Sequence, residues 1–433
     1  MNGPALPTAS SRPAATPRQL AAWALYDWAN SPFFAVILTF VFATYFTQAV
    51  AADEITGTTQ WGLAIGFSGL LIATLSPVMG AIADVGGPRK PWLATFTGLC
   101  ALATGLLWLV EPDPRFVLMA LVLIALANTA LGLGDAFYNA MLPDLAPSRT
   151  LGRWSGRGWA LGYIAGIAAL LLLYLGVIAR EPPPFGLDAA TAEPVRLVGP
   201  VVALWLVVFA LPLFLVAPDK PHSAGPTGQA VRLGLAQLWR TLRGLRGDSQ
   251  VLRFLVARLF YNDGLNTLFA FGGIYAAGTF GMTTEEIMLF AIALNVSAGI
   301  GSFAFGYLDD RLGSKQTVLL ALAGLAAFGI AALVAEQKST FWALGVLIGL
   351  FVGPAQSASR TLMARLAPPD QRTEMFGLYA LSGKVTAFLG PTLFGLATAA
   401  FGTQRAGMGV VVLLLALGGL LLLLTVREPD HGG

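Results

Sequence analysis

Apolar residues run along this chain in twelve long stretches separated by short polar connections. Each is close to the roughly 20 residues that a helix needs to cross a bilayer. The pattern predicts spans at 20–50, 61–83, 91–110, 116–138, 153–179, 197–217, 252–280, 285–308, 316–335, 340–363, 373–400 and 405–426. The connections divide by charge. One side gathers Arg89, Lys90, Arg149, Arg153, Arg311, Lys315, Arg365, Arg372 and most other basic residues, while the other carries only Arg115, Arg180, Arg196, Lys338 and Arg405. Positive residues mark the cytoplasmic side, so both termini are expected to be cytoplasmic.

Polar positions inside the apolar stretches recur. Asp27, Asn30 and Ser31 in the first are matched in spacing by Asp263, Asn266 and Thr267 in the seventh. Positions i, i+3 and i+4 share one helical face, and ionisable groups in membrane spans usually face a bundle interior or a wet cavity. The connections repeat as well: Gly80, Asp84, Gly87 and Lys90 match Gly306, Asp310, Gly313 and Lys315, with one extra residue in the first copy. Leu145-Ala146-Pro147 matches Leu366-Ala367-Pro368, an offset of 221, and Gly156 and Gly162 match Gly377 and Gly383. Six spans are followed by six related ones. Residues 20–217 and 251–427 are read as two halves related by an axis along the membrane normal, a plan in which substrate binds where the halves meet.

Residues 218–250 break the rhythm and form the linker. There Val231, Leu235, Leu238, Leu242 and Leu245 share a face away from Arg232, Arg240, Arg243 and Arg246, which predicts a basic amphipathic helix along the inner membrane surface. Residues 1–19, rich in Pro, Ala and Ser, read as a disordered cytoplasmic tail, and 428–433 as a second tail. Thr283 with Glu286 reads as a capping box opening span eight.

Composition agrees with a bilayer: 56% hydrophobic residues, 11% charged and a mean hydropathy of +0.71 leave too little polar surface for a soluble globule. The net charge of +3 is scattered and forms no stripe, so no nucleic-acid partner is expected. The single cysteine, Cys100, and two histidines in polar segments offer no zinc or thiol chemistry, no buried histidine relay and no enzymatic centre. Carboxylates are then the candidate titrating groups. Gly383-Lys384 fails as a phosphate loop because Val385 and Leu378 replace its required residues, which favours gradient-driven transport with no cofactor.

The run Gly-x-x-x-Asp-basic-x-Gly-x-basic, fitted by Gly306 to Lys315, resembles the loop signature of the major facilitator superfamily; the first copy departs from it at Val85 and in the longer Gly86-Gly87-Pro88 turn. Tyr26-Asp27-Trp28-Ala29-Asn30-Ser31, Tyr138-Asn139-Ala140-Met141-Leu142-Pro143, Gln356-Ser357-Ala358-Ser359-Arg360 and Gly377-Leu378-Tyr379-Ala380-Leu381-Ser382-Gly383-Lys384 resemble its vacuole-effluxer-like branch. The resemblance implies an all-α membrane protein with twelve transmembrane helices in two pseudo-symmetric six-helix bundles. It also implies a secondary transporter of a small organic solute, with amino-acid export as the expected activity, a bacterial inner membrane as the expected location and protons as a candidate coupling ion. Another small solute (peptide, sugar or drug-like) is the alternative. Gly80, Asp84, Arg89, Lys90, Gly306, Asp310, Arg311, Gly313 and Lys315 are, on the same resemblance, conformational latch loops, and the first, fourth, seventh and tenth helices line the cavity.

On that plan the pathway candidates are Asp27, Asn30, Ser31, Asn128, Asp135, Asn139, Asp263, Asn266, Thr267, Gln356 and Lys384. Asp27 lies roughly 10 Å into its span at 1.5 Å per residue, which suits a gate as well as a proton carrier. Asp263 lies deeper. A lone ammonium at Lys384 costs about 2.5 to 3.5 kcal/mol on insertion scales, so it requires an ion pair with Asp27 or Asp263, or a place where it receives a substrate carboxylate. Asn128 and Gln356 suit helix-to-helix hydrogen bonds equally. Asp135 and Asn139 correspond through the offset to Gln356 and Arg360, the latter read as an anchor or gate residue.

Overall fold

The computed structural model describes residues 15–221, 227–244 and 250–428. The helices follow the hydropathy pattern closely. Spans one to six are Pro17–Val50, Glu54–Gly86, Lys90–Leu109, Pro114–Leu145, Ser148–Ile178 and Glu193–Val216. Spans seven to twelve are Gln250–Phe280, Thr284–Leu312, Ser314–Val334, Lys338–Leu366, Arg372–Phe401 and Gln404–Thr425. Among the described residues, eleven of the twelve are apolar enough to be membrane spans on composition alone. Span seven is the exception, because Arg253, Arg258, Asn262, Asp263 and Asn266 interrupt it; at 31 residues its unbroken helix still extends roughly 46 Å. Most of the expected tails, residues 1–14 and 429–433, and residues 222–226 and 245–249 of the linker lie outside the described residues.

Span five ends in a π-helical turn, Tyr174–Ile178, and spans one and eleven depart further from a plain α-helix. In span one the α-helix ends at Pro32 and continues as π-helix over Phe33–Phe40 and again over Phe46–Val50; such widened turns follow where a proline interrupts the regular ladder. Span eleven is split into Arg372–Lys384 and Leu389–Phe401. The cause is Pro391, whose ring conflicts with the carbonyl of Ala387 in a continuous helix but fits the first turn of a new one.

The halves meet through spans two and eleven on one flank and five and eight on the other. Gly80 and Gly306 permit this approach, since a Cβ at either would lie 2.5 Å from the Thr373 carbonyl oxygen or 2.8 Å from that of Gly152. Among the described residues, every hydrogen bond and ion pair joining the halves falls between the middle of the bundle and the face that carries the basic connections. The molecule is therefore closed on its basic face.

Candidate functional site

The seal has two reciprocal clasps and a central pin. In the first clasp, Asp84 at the end of span two accepts from the Thr373 hydroxyl at 2.7 Å and from the Glu374 N–H at 2.9 Å, both at the start of span eleven. In the second, Asp310 at the end of span eight accepts from the N–H groups of Gly152 and Arg153 at 2.8 and 3.3 Å, at the start of span five. Each carboxylate caps the N-terminus of a helix in the opposite half, where free N–H groups and the helix dipole favour negative charge.

The cations of the two clasps differ from the family signature. Arg89 folds back to Asp84 at 3.3 Å, donates to the Thr373 hydroxyl at 2.7 Å and pairs with Asp144, which also binds Arg372. Asp310 instead pairs with Arg153 at 2.6 Å, while Arg311, its neighbour in sequence, is exposed. Within each half the final lysine of the loop serves as a tie: Lys90 Nζ donates to the Phe214 carbonyl at 3.0 Å and Lys315 Nζ to that of Val426 at 2.6 Å. Asp219 accepts from the Arg89 and Lys90 N–H groups, and Glu428 from those of Ser314 and Lys315. Gly313 has φ 95°, a conformation that lets span eight stop and span nine start within one residue.

The central pin is Arg360. Buried in span ten, it donates to Asp27 at 2.9 Å, to the Ser155 hydroxyl at 2.9 Å and carbonyl at 2.7 Å, and to Asn139 at 3.4 Å. The rings of Trp23, Tyr138 and Trp159 surround its guanidinium at 5.0 to 5.8 Å. Asn139 and Arg360 are the same position in the two halves, 221 residues apart, so the repeat meets itself here. Trp23 and Tyr138 stack at 4.7 Å and exchange bonds to each other's carbonyls, which braces spans one and four around the pin.

The repeated polar motif divides. Asp27 and Ser31 face Gly158 and Gly162 of span five, and the Ser31 hydroxyl donates to the Asp27 carbonyl. Asp263 and Thr267 face Gly390 of span eleven, where the Asp263 carboxylate accepts from the Gly390 N–H at 2.7 Å and so caps the second piece of that broken span. The other Asp263 oxygen is buried without a partner. Asn30 is buried and Asn266 is exposed. Asn128 donates to Ser68 at 2.6 Å, a bond between spans four and two, and Gln356 accepts from Tyr163 at 2.6 Å across the halves.

Lys384 lies at the break in span eleven with its side chain beside Gly69 of span two. It is exposed although it lies mid-span and against the other half. Its acidic neighbour is Asp135 of span four, rather than Asp27 or Asp263. Asp135 is within electrostatic reach of Asp27, Arg360 and Lys384. Among the described residues Lys384 and Asp135 form no contact ion pair with each other.

Residues 50–152 and 147–429 match the family described as vacuole effluxer Atg22 like. The uncharacterized MFS-type transporter YxiO of Bacillus subtilis is 24% identical over 95% of this chain and 96% of its own. Autophagy-related protein 22 of Coccidioides immitis is 26% identical over 84% of this chain and 71% of its own. Among solved structures, FucP in the outward conformation superimposes with a TM-score of 0.75 at 15% identity, over 95% of this chain and 99% of FucP. The proton:xylose symporter XylE does so with 0.71 at 13% identity, over 96% of each. With this fold, its twelve spans and a family match over most of its length, the chain is a multi-pass integral membrane transporter that belongs to the Atg22-like vacuole effluxer family within the major facilitator superfamily.

Proposed function

We propose that this protein is a proton-coupled amino-acid exporter working by alternating access, in a bacterial inner membrane, with its basic face towards the cytoplasm. The observation that carries the reading is Lys384 and Asp135: a cation and an anion supplied by opposite halves, within electrostatic reach of each other and not joined. An α-amino acid carries the complementary pair, its carboxylate for Lys384 and its ammonium for Asp135. Binding it gives each of the two charges an opposite partner and engages both halves at once.

Asp263 is the proton site in this reading. Asp27 is neutralised by Arg360, whereas Asp263 keeps one oxygen unpartnered and has no cation beside it. A proton on that carboxylate relieves a buried charge; protonation also alters the cap on span eleven, the helix that carries Lys384. The clasps and Arg360 hold the present state, which faces outward.

Purified protein in liposomes tests this by counterflow of labelled amino acids with and without a pH gradient. At least one amino acid is expected to exchange, and Lys384→Met or Asp135→Asn to weaken its apparent affinity on the order of tenfold, as for loss of a charge-assisted contact. Asp263→Asn is expected to retain counterflow and lose accumulation driven by the pH gradient. Absence of counterflow with every amino acid rejects the substrate; gradient-driven accumulation by Asp263→Asn rejects the proton site.

A further inference from the structure

The linker contains a helix, Thr227–Gly244, that docks on the transporter instead of standing apart from it. Gly234 rests on Ala81 and Ile82 of span two, Leu238 is buried, and Gln237 donates to Glu374 at 2.9 Å. Glu374 begins span eleven and is also the residue whose N–H is held by Asp84. The helix therefore straps span two of one half to span eleven of the other, on the outside of the first clasp.

Its remaining surface is ordered. At about 100° per residue, the docked residues Gly234, Gln237 and Leu238 are followed round the helix by Val231, Leu235 and Trp239, and then by Arg232, Arg243 and Arg240. Val231, Leu235 and Trp239 are exposed by 38%, 45% and 57%; the three arginines are exposed as well, and the Arg243 guanidinium lies 4.8 Å from the Trp239 ring centre. The apolar stripe is thus not on the docked side but beside it, and the basic stripe lies opposite the docked side. Ile82 is four residues from the end of span two, so the helix sits at the depth where hydrocarbon gives way to headgroups. A tryptophan and an apolar stripe suit that depth, and exposed arginines beyond them suit phosphate.

We propose that this outer face binds anionic phospholipid at the basic face of the membrane, and that the bound lipid holds the strap across spans two and eleven and so favours the state sealed on that face. The expected occupant is lipid rather than a protein because a helix at this depth exposes an apolar stripe with an arginine stripe beside it, separate contacts suited to acyl chain and headgroup. Juxtamembrane basic clusters draw anionic lipid in this way.

The test uses the full chain with Cys100→Ser and a reporter, Ser357→Cys, since Ser357 is buried under the central pin, where its carbonyl accepts from the Ser155 hydroxyl. Protein is reconstituted in phosphatidylcholine alone or with phosphatidylglycerol, and the rate of modification by an impermeant thiol reagent on the basic face is measured. Phosphatidylglycerol is expected to slow labelling about threefold or more, given the attraction of each arginine to an anionic surface, and Arg232→Gln/Arg240→Gln/Arg243→Gln to remove the lipid dependence while labelling in phosphatidylcholine is unchanged. Labelling that ignores lipid in the parent protein, or a triple variant that keeps the full lipid response, overturns the proposal. Free glycerol phosphate slowing the parent equally in phosphatidylcholine also overturns it, because the source is then a soluble phosphate. No substrate enters the measurement, so the result stands apart from the transport assay.

Discussion

Arg360 shows how much one side chain can carry in this fold. It touches span one through Asp27, span four through Asn139 and span five through Ser155, so it ties the second half to three helices of the first. Removing one partner of a buried pair leaves the other charge uncompensated, at a cost of about 3 to 5 kcal/mol. Arg360→Gln is accordingly expected to depopulate the sealed state by about that amount and Asp27→Asn by a similar one, while the double variant costs much less than the two together. Spin-label distances between spans four and ten on the basic face report the populations; additive effects would show that the two residues act independently. Sequence reasoning found Asp27 and suspected a gate at Arg360, yet could not join them, because nothing in a linear pattern says that residues 333 apart meet. Ser155 was out of reach altogether: a serine in a glycine-rich span reads as packing, and its role comes from a hydroxyl and a backbone carbonyl that both accept from the guanidinium.

At the level of helices, hydropathy marked the spans to within a few residues, and departures occur where backbone chemistry outweighs apolarity. The capping box at the start of span eight is present as expected, with Thr283 Oγ1 accepting from the Glu286 N–H and the Glu286 carboxylate accepting from the Thr283 N–H. Glu286 also binds Lys338 at 2.9 Å, and that hydrogen bond, with the one from Thr283, holds its carboxyl below the usual range. A depressed carboxyl contributes stability that is present above its unfolded pKa and lost as pH falls through the lower folded value. Fraying at the start of span eight is therefore expected only in acid, as this carboxyl takes up a proton, and hydrogen exchange at Ile287 and its neighbours checks it; fraying that begins near neutral pH would contradict the assignment. The π-helical turns of span one and the interruption of span eleven were not legible. Whether a proline such as Pro391 bends a membrane helix or divides it depends on what satisfies the freed N–H groups. Here Asp263, on a different helix, supplies the acceptor.

For the whole molecule the internal repeat was the most informative feature, since it foretold two halves, the loop correspondence and the offset at which Asn139 meets Arg360. It did not foretell that Asp84 and Asp310 each serve the other half's helix. Because the two clasps occupy related positions and each carboxylate accepts from two groups at a helix start, Asp84→Ala and Asp310→Ala are each expected to weaken the seal by about 1 to 2 kcal/mol, as for loss of a helix cap, with Asp310→Ala also losing the pairing to Arg153 of the other half. Thiol labelling of a buried gate position measures both, and a large effect at one with none at the other would show that the halves are not functionally equivalent. The clasps lie at the rim, where the N–H groups they release on opening are met at once by water; the pin lies inside, where nothing replaces Asp27. The interior contact thus resists switching more than either rim clasp, and whatever takes the place of Asp27 beside Arg360 loosens the entire machine without touching its edges.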